Sequence, residues 1–183
     1  MKRWVLFLLV FSLIASAGLF ADPSIEVQYN EPGQINLTGV VGLNTFGLSL
    51  GVGAELIMGD LDFIPEFPME WGLAARGLFG FYLFDSYSGI DYGAAPLATL
   101  HKGFSLGEGL EFDITLGVGL GLYGYSYTWD YGIGEYNYSE PIKFGFASFD
   151  SLSWKMKENL WLTLEYGYVG WKSIYGVGVR MVM

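Results

Sequence analysis

The chain has 183 residues, no cysteine, and 19 acidic against 9 basic residues, which gives a formal net charge of −10. This acidic balance excludes nucleic acid as a partner, because its binding needs clustered Lys and Arg opposite the phosphates. The lack of Cys excludes disulfides, zinc–thiolate sites and cysteine nucleophiles. Aromatic residues make up 18% of the chain and glycine occurs 27 times, both unusual for a soluble domain.

The N-terminal segment has the pattern of a secretory signal peptide. A basic start precedes an apolar run of about ten residues and then a small-residue exit. That run is short for a retained spanning helix, which needs about 20 apolar residues. We expect residues 1–21 to be a signal peptide cleaved after Ala21, with Ala17 as the alternative, and residues 22–183 to form one domain. Cleavage removes two basic residues and no acid, so the formal net charge changes from −10 to −12.

Beyond the signal peptide, apolar residues recur at every second position. Within 110–122 every even residue is apolar, whereas the odd residues are three Gly, two acids and a Thr. Soluble strands run about five or six residues, but tilted membrane strands need about 9–11. Runs that hold one phase for this long favour a membrane barrel over a soluble sandwich with one face in its core. In chain order, strands are predicted at 34–43, 46–58, 69–83, 92–100, 110–122, 142–154, 160–168 and 175–183.

These elements predict an all-β fold, an eight-stranded antiparallel up-and-down transmembrane β-barrel. An even strand number places both termini on the periplasmic side, and the long connection, 124–139, then lies on the outer side. Two irregularities are expected. Asp150 falls on the lipid side, so we predict a bulge near Phe149 that corrects the phase. Pro96 lacks an N–H that a closed barrel would use.

Over the mature region the chain resembles the small eight-stranded outer-membrane barrels of the OmpA and OmpX type. Its last strand, Tyr175–Met183, resembles the β-signal read by the barrel-assembly machinery, although it ends in Met183 where that family usually has Phe. The resemblance implies an exported, monomeric protein of the bacterial cell outer membrane. Its partners would be outer-membrane lipids and the assembly machinery, with an extracellular ligand left unidentified.

Several charged residues occupy the inward phase of the predicted barrel. An unpaired charge inside a narrow barrel is costly, which favours an ion-pair network around the two arginines. The alternative is a gate or small pore, which the narrow interior of eight strands disfavours. The predicted lumenal network consists of Glu55, Glu70, Arg76, His101, Asp113, Glu165 and Arg180.

His101 is the only histidine of the chain. A lipid-modifying enzyme on this fold would want a His beside a Ser nucleophile or an Asp, and a satisfied lumenal His is the simpler interpretation. We therefore expect no catalytic, cofactor or metal site.

Many other inward positions are glycine. They leave room for inward Tyr82, Phe149, Trp161 and Trp171, or else they line a cavity in the outer half that holds a small apolar ligand.

The connection 124–139 is dense in Tyr, together with Gly, Ser and acids. This composition suits a recognition surface, but it also suits a hairpin extended above the membrane with its rings in the interfacial girdle. The candidate recognition residues are Tyr125, Tyr127, Trp129, Tyr131, Tyr136 and Tyr138.

Three functions remain open from the sequence. The first is a non-enzymatic integral barrel that contributes to envelope structure and makes surface contacts through the 124–139 loop. The second is a small-molecule-binding or narrow-pore transport barrel with a lumenal pocket. The third is a lipid-modifying outer-membrane enzyme.

Overall fold

Eight antiparallel strands form the described part of the protein, a computed structural model that describes residues 28–44, 47–61, 69–84, 87–106, 110–130, 132 and 134–183. The signal peptide predicted at residues 1–21 lies outside these residues. The strands are β1 Ile35–Leu43, β2 Leu48–Asp60, β3 Glu70–Phe84, β4 Tyr87–Ser105, β5 Glu111–Asp130, β6 Glu135–Lys157, β7 Leu160–Val169 and β8 Lys172–Val182.

The strands close into a barrel in sequence order, since each pairs with its neighbours and β1 also pairs with β8. The closing register runs from Asn36 opposite Val182 to Leu43 opposite Tyr175. The predicted eight-stranded antiparallel barrel is therefore confirmed. Among the described residues, no helix is long and apolar enough to cross a membrane.

The barrel is apolar outside and polar inside. On β2, Leu48 and Val52 are 60% and 52% exposed, whereas the inward Ser49 and Glu55 are buried. The two-residue repeat of a strand sends alternate side chains to opposite faces, and one repeat holds along most of each strand. Most residues of the outward rows predicted from the sequence are thus exposed in the structure; Tyr166 is an exception at 7%, since its ring packs beside those of Tyr168 and Tyr175.

The segment predicted as a long loop, 124–139, is instead mostly strand. β5 continues to Asp130 and β6 begins at Glu135, so the two form a hairpin that extends past the end of β7, while β4 stays paired with β5 up to Trp129. The strands of this hairpin are therefore longer than predicted. The alternation continues there, but Tyr on one face and Ser or Thr on the other give little hydropathy contrast.

The predicted bulge near Phe149 is wrong. The register between β5 and β6 runs without a shift through Asp150, which pairs with Leu116 on β5 and with Tyr166 on β7. The carboxylate consequently stays on the outward face, where the Ser148 hydroxyl donates a hydrogen bond to it at 3.1 Å. Backbone pairing on both sides holds the strand in phase against the preference of one side chain.

The irregularities lie elsewhere. On β6, Pro141 and Ile142 together face the single residue Gly124, where the register shifts between Tyr123 and Tyr125. Such a bulge suits Pro, which donates no ladder hydrogen bond. At Pro96 the pairing with β5 is interrupted while the register is kept.

Candidate functional site

The charged residues predicted for the lumen meet in a cluster toward the end of the barrel that holds both described chain ends. The imidazole of His101 lies between two carboxylates, with Nε2 2.9 Å from Glu55 and Nδ1 3.0 Å from Asp113. Arg180 also donates to Asp113. Because carboxylates only accept hydrogen bonds, an imidazolium donates to both of them.

The remaining members of the predicted network lie around this cluster. The Arg76 guanidinium is 3.2 Å from the Glu165 carboxylate, and Glu70 pairs in register with His101. Glu70 is only 1% exposed, and its Oε1 has no hydrogen-bond partner among the described residues. The structure thus places all seven predicted residues in the interior. The two arginines form separate ion pairs, Arg76 with Glu165 and Arg180 with Asp113.

A hydroxyl, an imidazole and a carboxylate also meet in this cluster. Thr115 Oγ1 lies 3.2 Å from His101 Nδ1, and Glu55 meets the opposite ring nitrogen. With a neutral imidazole, a nucleophile, a base and a carboxylate in this order would suit acyl transfer. However, Thr115, His101 and Glu55 are 4%, 1% and 6% exposed, so a substrate has no open path to the hydroxyl.

An apolar layer crosses the interior above the charged cluster. Arg76 lies at its boundary, with its guanidinium 6.0 Å from the centre of the Phe149 ring. The side chains of this layer leave at most 7% of their surface exposed, and they fill the section between the two polar ends of the lumen. They are Val40, Ala74, Leu78, Ala95, Leu97, Ala147, Phe149, Val169 and Ile174.

Inward glycines make room for large side chains. A Cβ on Gly53 would overlap the Arg76 side chain, and a Cβ on Gly167 would overlap the Phe149 ring. These contacts favour the packing interpretation over a ligand cavity. Trp171, predicted to point inward, instead lies 49% exposed at the outer end, because it belongs with Gly170 to the turn that precedes β8 at Lys172.

A further ion pair, which was not predicted from the sequence, lies at the outer end of the lumen. Lys172 Nζ is 3.1 Å from the Asp91 carboxylate and donates to the Tyr127 hydroxyl at 2.6 Å. Tyr82 donates to the same carboxylate, and the Asn44 amide donates to the Tyr82 hydroxyl. Lys172 and Asp91 both lie in the inward phase of their strands, and this phase was the feature of the sequence that could have predicted their position in the lumen.

The opposite end of the lumen is covered by the segment that precedes β1. The Tyr29 ring packs edge-on against the buried Trp161 at 5.2 Å. Asn30 is 4% exposed and accepts a hydrogen bond from the Gln34 amide. Lys155 lies over the Tyr29 ring. This end, too, is filled by side chains of the chain itself.

The hairpin of β5 and β6 beyond the bulge has one aromatic and one polar face. Its register places Trp129 opposite Tyr136 and Tyr127 opposite Tyr138. We define the aromatic face as the side of this hairpin that carries Tyr125, Tyr127, Trp129, Tyr136 and Tyr138. The polar face carries Ser126, Thr128, Asp130, Glu135, Asn137 and Ser139. Of the predicted recognition residues, Tyr131 falls outside the described residues.

Glu140 closes the base of the aromatic face. It accepts hydrogen bonds from the Tyr138 hydroxyl at 2.9 Å and from Lys143. The Lys143 ammonium, followed by the Tyr138 hydroxyl, holds the pKa of Glu140 below its ordinary value. This acid is therefore a carboxylate at neutral pH.

The outer part of β6 has a free edge. β6 pairs with β7 from Ala147 onward, and Gly170 donates to the Phe146 carbonyl. In the described part of the chain, no strand pairs with residues 135–145 on that side. Across all the residues that the structure describes, no group of three or more His, Asp or Glu side chains is placed to hold a metal ion.

No family model and no curated protein sequence matches the chain. Solved structures with a similar fold include Neisserial surface protein A (NspA), with a TM-score of 0.48 and 16% identity over 81% of this chain and 94% of that one. Another is Ail, the attachment invasion locus protein of Yersinia pestis, with a TM-score of 0.41 and 15% identity over 82% of this chain and 95% of that one. A de novo designed transmembrane β-barrel has a TM-score of 0.41 and 16% identity over 84% of this chain and 98% of that one. This likeness concerns the fold alone, and the strand register of the chain itself defines the closed barrel.

Proposed function

We propose that the chain is an integral, non-enzymatic β-barrel protein of the bacterial outer membrane, exported through the signal peptide predicted at residues 1–21. The observation that carries this proposal is the inversion of the barrel, with exposed apolar rows outside and buried charges inside. Soluble monomers rarely expose continuous apolar patches beyond a few hundred Å². A closed ring of paired strands also satisfies its backbone within the wall, as a bilayer requires.

The proposed orientation follows from where polar residues extend past the apolar rows. The outward row of β6 begins with Ile142 and Phe144, 60% and 83% exposed, and the hairpin lies beyond it. We assign this hairpin to the outside of the cell and both termini to the periplasm. The last strand presents Tyr175, Val177 and Val179 outward, as expected for the segment that the assembly machinery would read.

The packed interior favours a closed barrel over a pore. Charged groups at one end, an apolar layer in the middle and the Lys172–Asp91 pair at the other end occupy the lumen. A water-filled channel would need to expose Leu78 and Ile174, both of which are 0% exposed. In this proposal the protein contributes to envelope structure and makes surface contacts through its outer hairpin.

Insertion is tested by folding the urea-unfolded mature chain into phospholipid vesicles and following its migration in unheated gels. We expect a heat-modifiable band, because closed membrane barrels resist unfolding by detergent. Leu120, 67% exposed in the outward row of β5, provides the perturbation, and L120D should reduce the folded fraction. The matched control T128D lies in the hairpin and should fold normally. A wild-type chain that is soluble and monomeric without detergent would contradict the proposal.

Conductance in planar bilayers separates the closed barrel from the pore. The folded protein should give no steady channels, because side chains fill its lumen. Reproducible solute-selective channels would favour the transport alternative.

A further inference from the structure

The end of the aromatic face farthest from the barrel is exposed, and the packing of the barrel does not use it. Trp129 and Tyr136 form a cross-strand pair with ring centres 6.0 Å apart and an angle of 31° between the rings. Tyr136 is 55% exposed and Tyr138 36%. Two exposed carboxylates, Asp130 and Glu135, pair across the end of the same hairpin.

The inner part of the same face already holds an ammonium group. Lys172 Nζ lies 4.5 Å from the ring centre of Tyr125, 5.2 Å from that of Tyr127 and 3.5 Å from that of Trp171. Cations within about 6 Å of an aromatic centre are attracted by the ring quadrupole. The inner rings of this surface therefore already receive a cation from the chain itself.

The outer rings have no such cation from the chain itself. Within the described residues, no Lys or Arg lies over Trp129, Tyr136 or Tyr138, and the hairpin from 125 to 140 contains no basic residue. It does contain Asp130, Glu135 and Glu140. Glu140 lies on the aromatic face, whereas Asp130 and Glu135 lie on the polar face, next in sequence to Trp129 and Tyr136. Exposed rings with carboxylates nearby combine the two groups that attract ammonium and guanidinium ions.

We propose that the exposed part of this aromatic face binds a basic, Lys- or Arg-bearing segment of an extracellular protein. The proposal rests on the outward orientation given above. Charge complementarity selects this occupant, since a polyanion or a second copy of a chain with a net charge of −10 would be repelled. Tyr136 and Tyr138 lie on one face of β6, so their spacing of about 6.7 Å matches alternate side chains of an extended segment.

The test uses the full mature chain in phospholipid nanodiscs and a fluorescein-labelled peptide of alternating Arg and Ser, read by anisotropy. We expect saturable binding that weakens with salt. W129A and Y136A should each weaken it roughly three- to fivefold, the range of an exposed cation–π contact. The double variant D130N/E135Q should also weaken it. N137A, on the polar face of the same hairpin, is the matched control and should bind like the wild type.

Several outcomes would overturn the proposal. Equal binding by the wild type and the two aromatic variants would show that general charge attraction, without the rings, accounts for the peptide. Equal binding of a peptide with Glu in place of Arg, or binding of a neutral oligosaccharide with no binding of the Arg peptide, would assign another class of ligand. Each variant is first checked for its heat-modifiable band, so a chain that fails to insert is identified as a failure of the proposed function.

Discussion

Replacing Asp150 with Leu should stabilise the protein in a bilayer. Asp150 pairs with Leu116, which lies inside the outward row of β5 between Ile114 and Val118. Its carboxylate has no ion pair among the described residues and one side-chain hydrogen bond, from Ser148. In the proposed orientation this acid faces the hydrocarbon interior, where charges are costly.

The expected gain follows from three contributions. A basic side chain on the lipid face of a barrel costs about 2 to 4 kcal/mol at the bilayer midplane, and an acid costs less. Loss of the Ser148 hydrogen bond reduces the gain in stability by about 1 kcal/mol. Burial of the Leu side chain in lipid adds to that gain. For D150L we expect a net stabilisation of about 1 to 2 kcal/mol, a shift of 5- to 30-fold in the folding equilibrium.

The assay is reversible urea unfolding from phospholipid vesicles, read by tryptophan fluorescence at neutral pH. D130L is the matched control, because Asp130 is exposed on the hairpin outside the apolar rows and should gain nothing. D150N keeps the size of the side chain and removes its charge, so it should show part of the gain. A D150L variant that is less stable than the wild type, or no more stable than D130L, would refute a lipid-facing position.

The interior provides two further predictions for the same assay. R76A should lower the free energy of unfolding by about 3 to 5 kcal/mol, because it leaves the buried Glu165 unpaired. The double variant R76L/E165L removes both charges and should lower the free energy of unfolding by less. An equal loss in the two variants would argue against a paired role. G178V should cost about 1 to 3 kcal/mol through overpacking, since a Cβ there meets the backbone of the neighbouring strand. G39V, which points a side chain into open space on the outer wall, should be tolerated, and equal effects of the two would contradict the assigned faces.

The wall of the barrel could be predicted from the sequence because each side chain's face depends only on its parity along the strand. On β5, Leu120 is 67% exposed and Thr115 4%, as the two-residue repeat requires. The same reasoning placed His101 and Arg180 inside without knowledge of their partners. Local periodicity is sufficient where a strand has no bulge, whereas the bulge at Pro141 and Ile142 reverses the parity of β6 above it.

Features that depend on the arrangement around the ring could not be predicted. Lys172 and Asp91 lie on β8 and β4, which are not neighbours, so their pairing follows only from the closed register and the lumen width. The length of the outer hairpin was missed because Tyr suits both lipid and water, which removes the hydropathy contrast. The bulge near Phe149 was predicted from the polarity of Asp150 alone. The backbone pairing of β6 with β5 and β7 instead keeps the register through this residue.

Single-cysteine labelling tests the central claim, an inverted barrel in a membrane, most directly, because the chain has no native cysteine. V118C lies in an outward row, at a position 52% exposed, and N137C lies on the hairpin. In vesicles, a fluorophore at V118C should be quenched by brominated lipid chains and protected from aqueous quenchers, whereas one at N137C should show the reverse. Free access of aqueous quenchers to V118C, equal to that of N137C, would contradict the account.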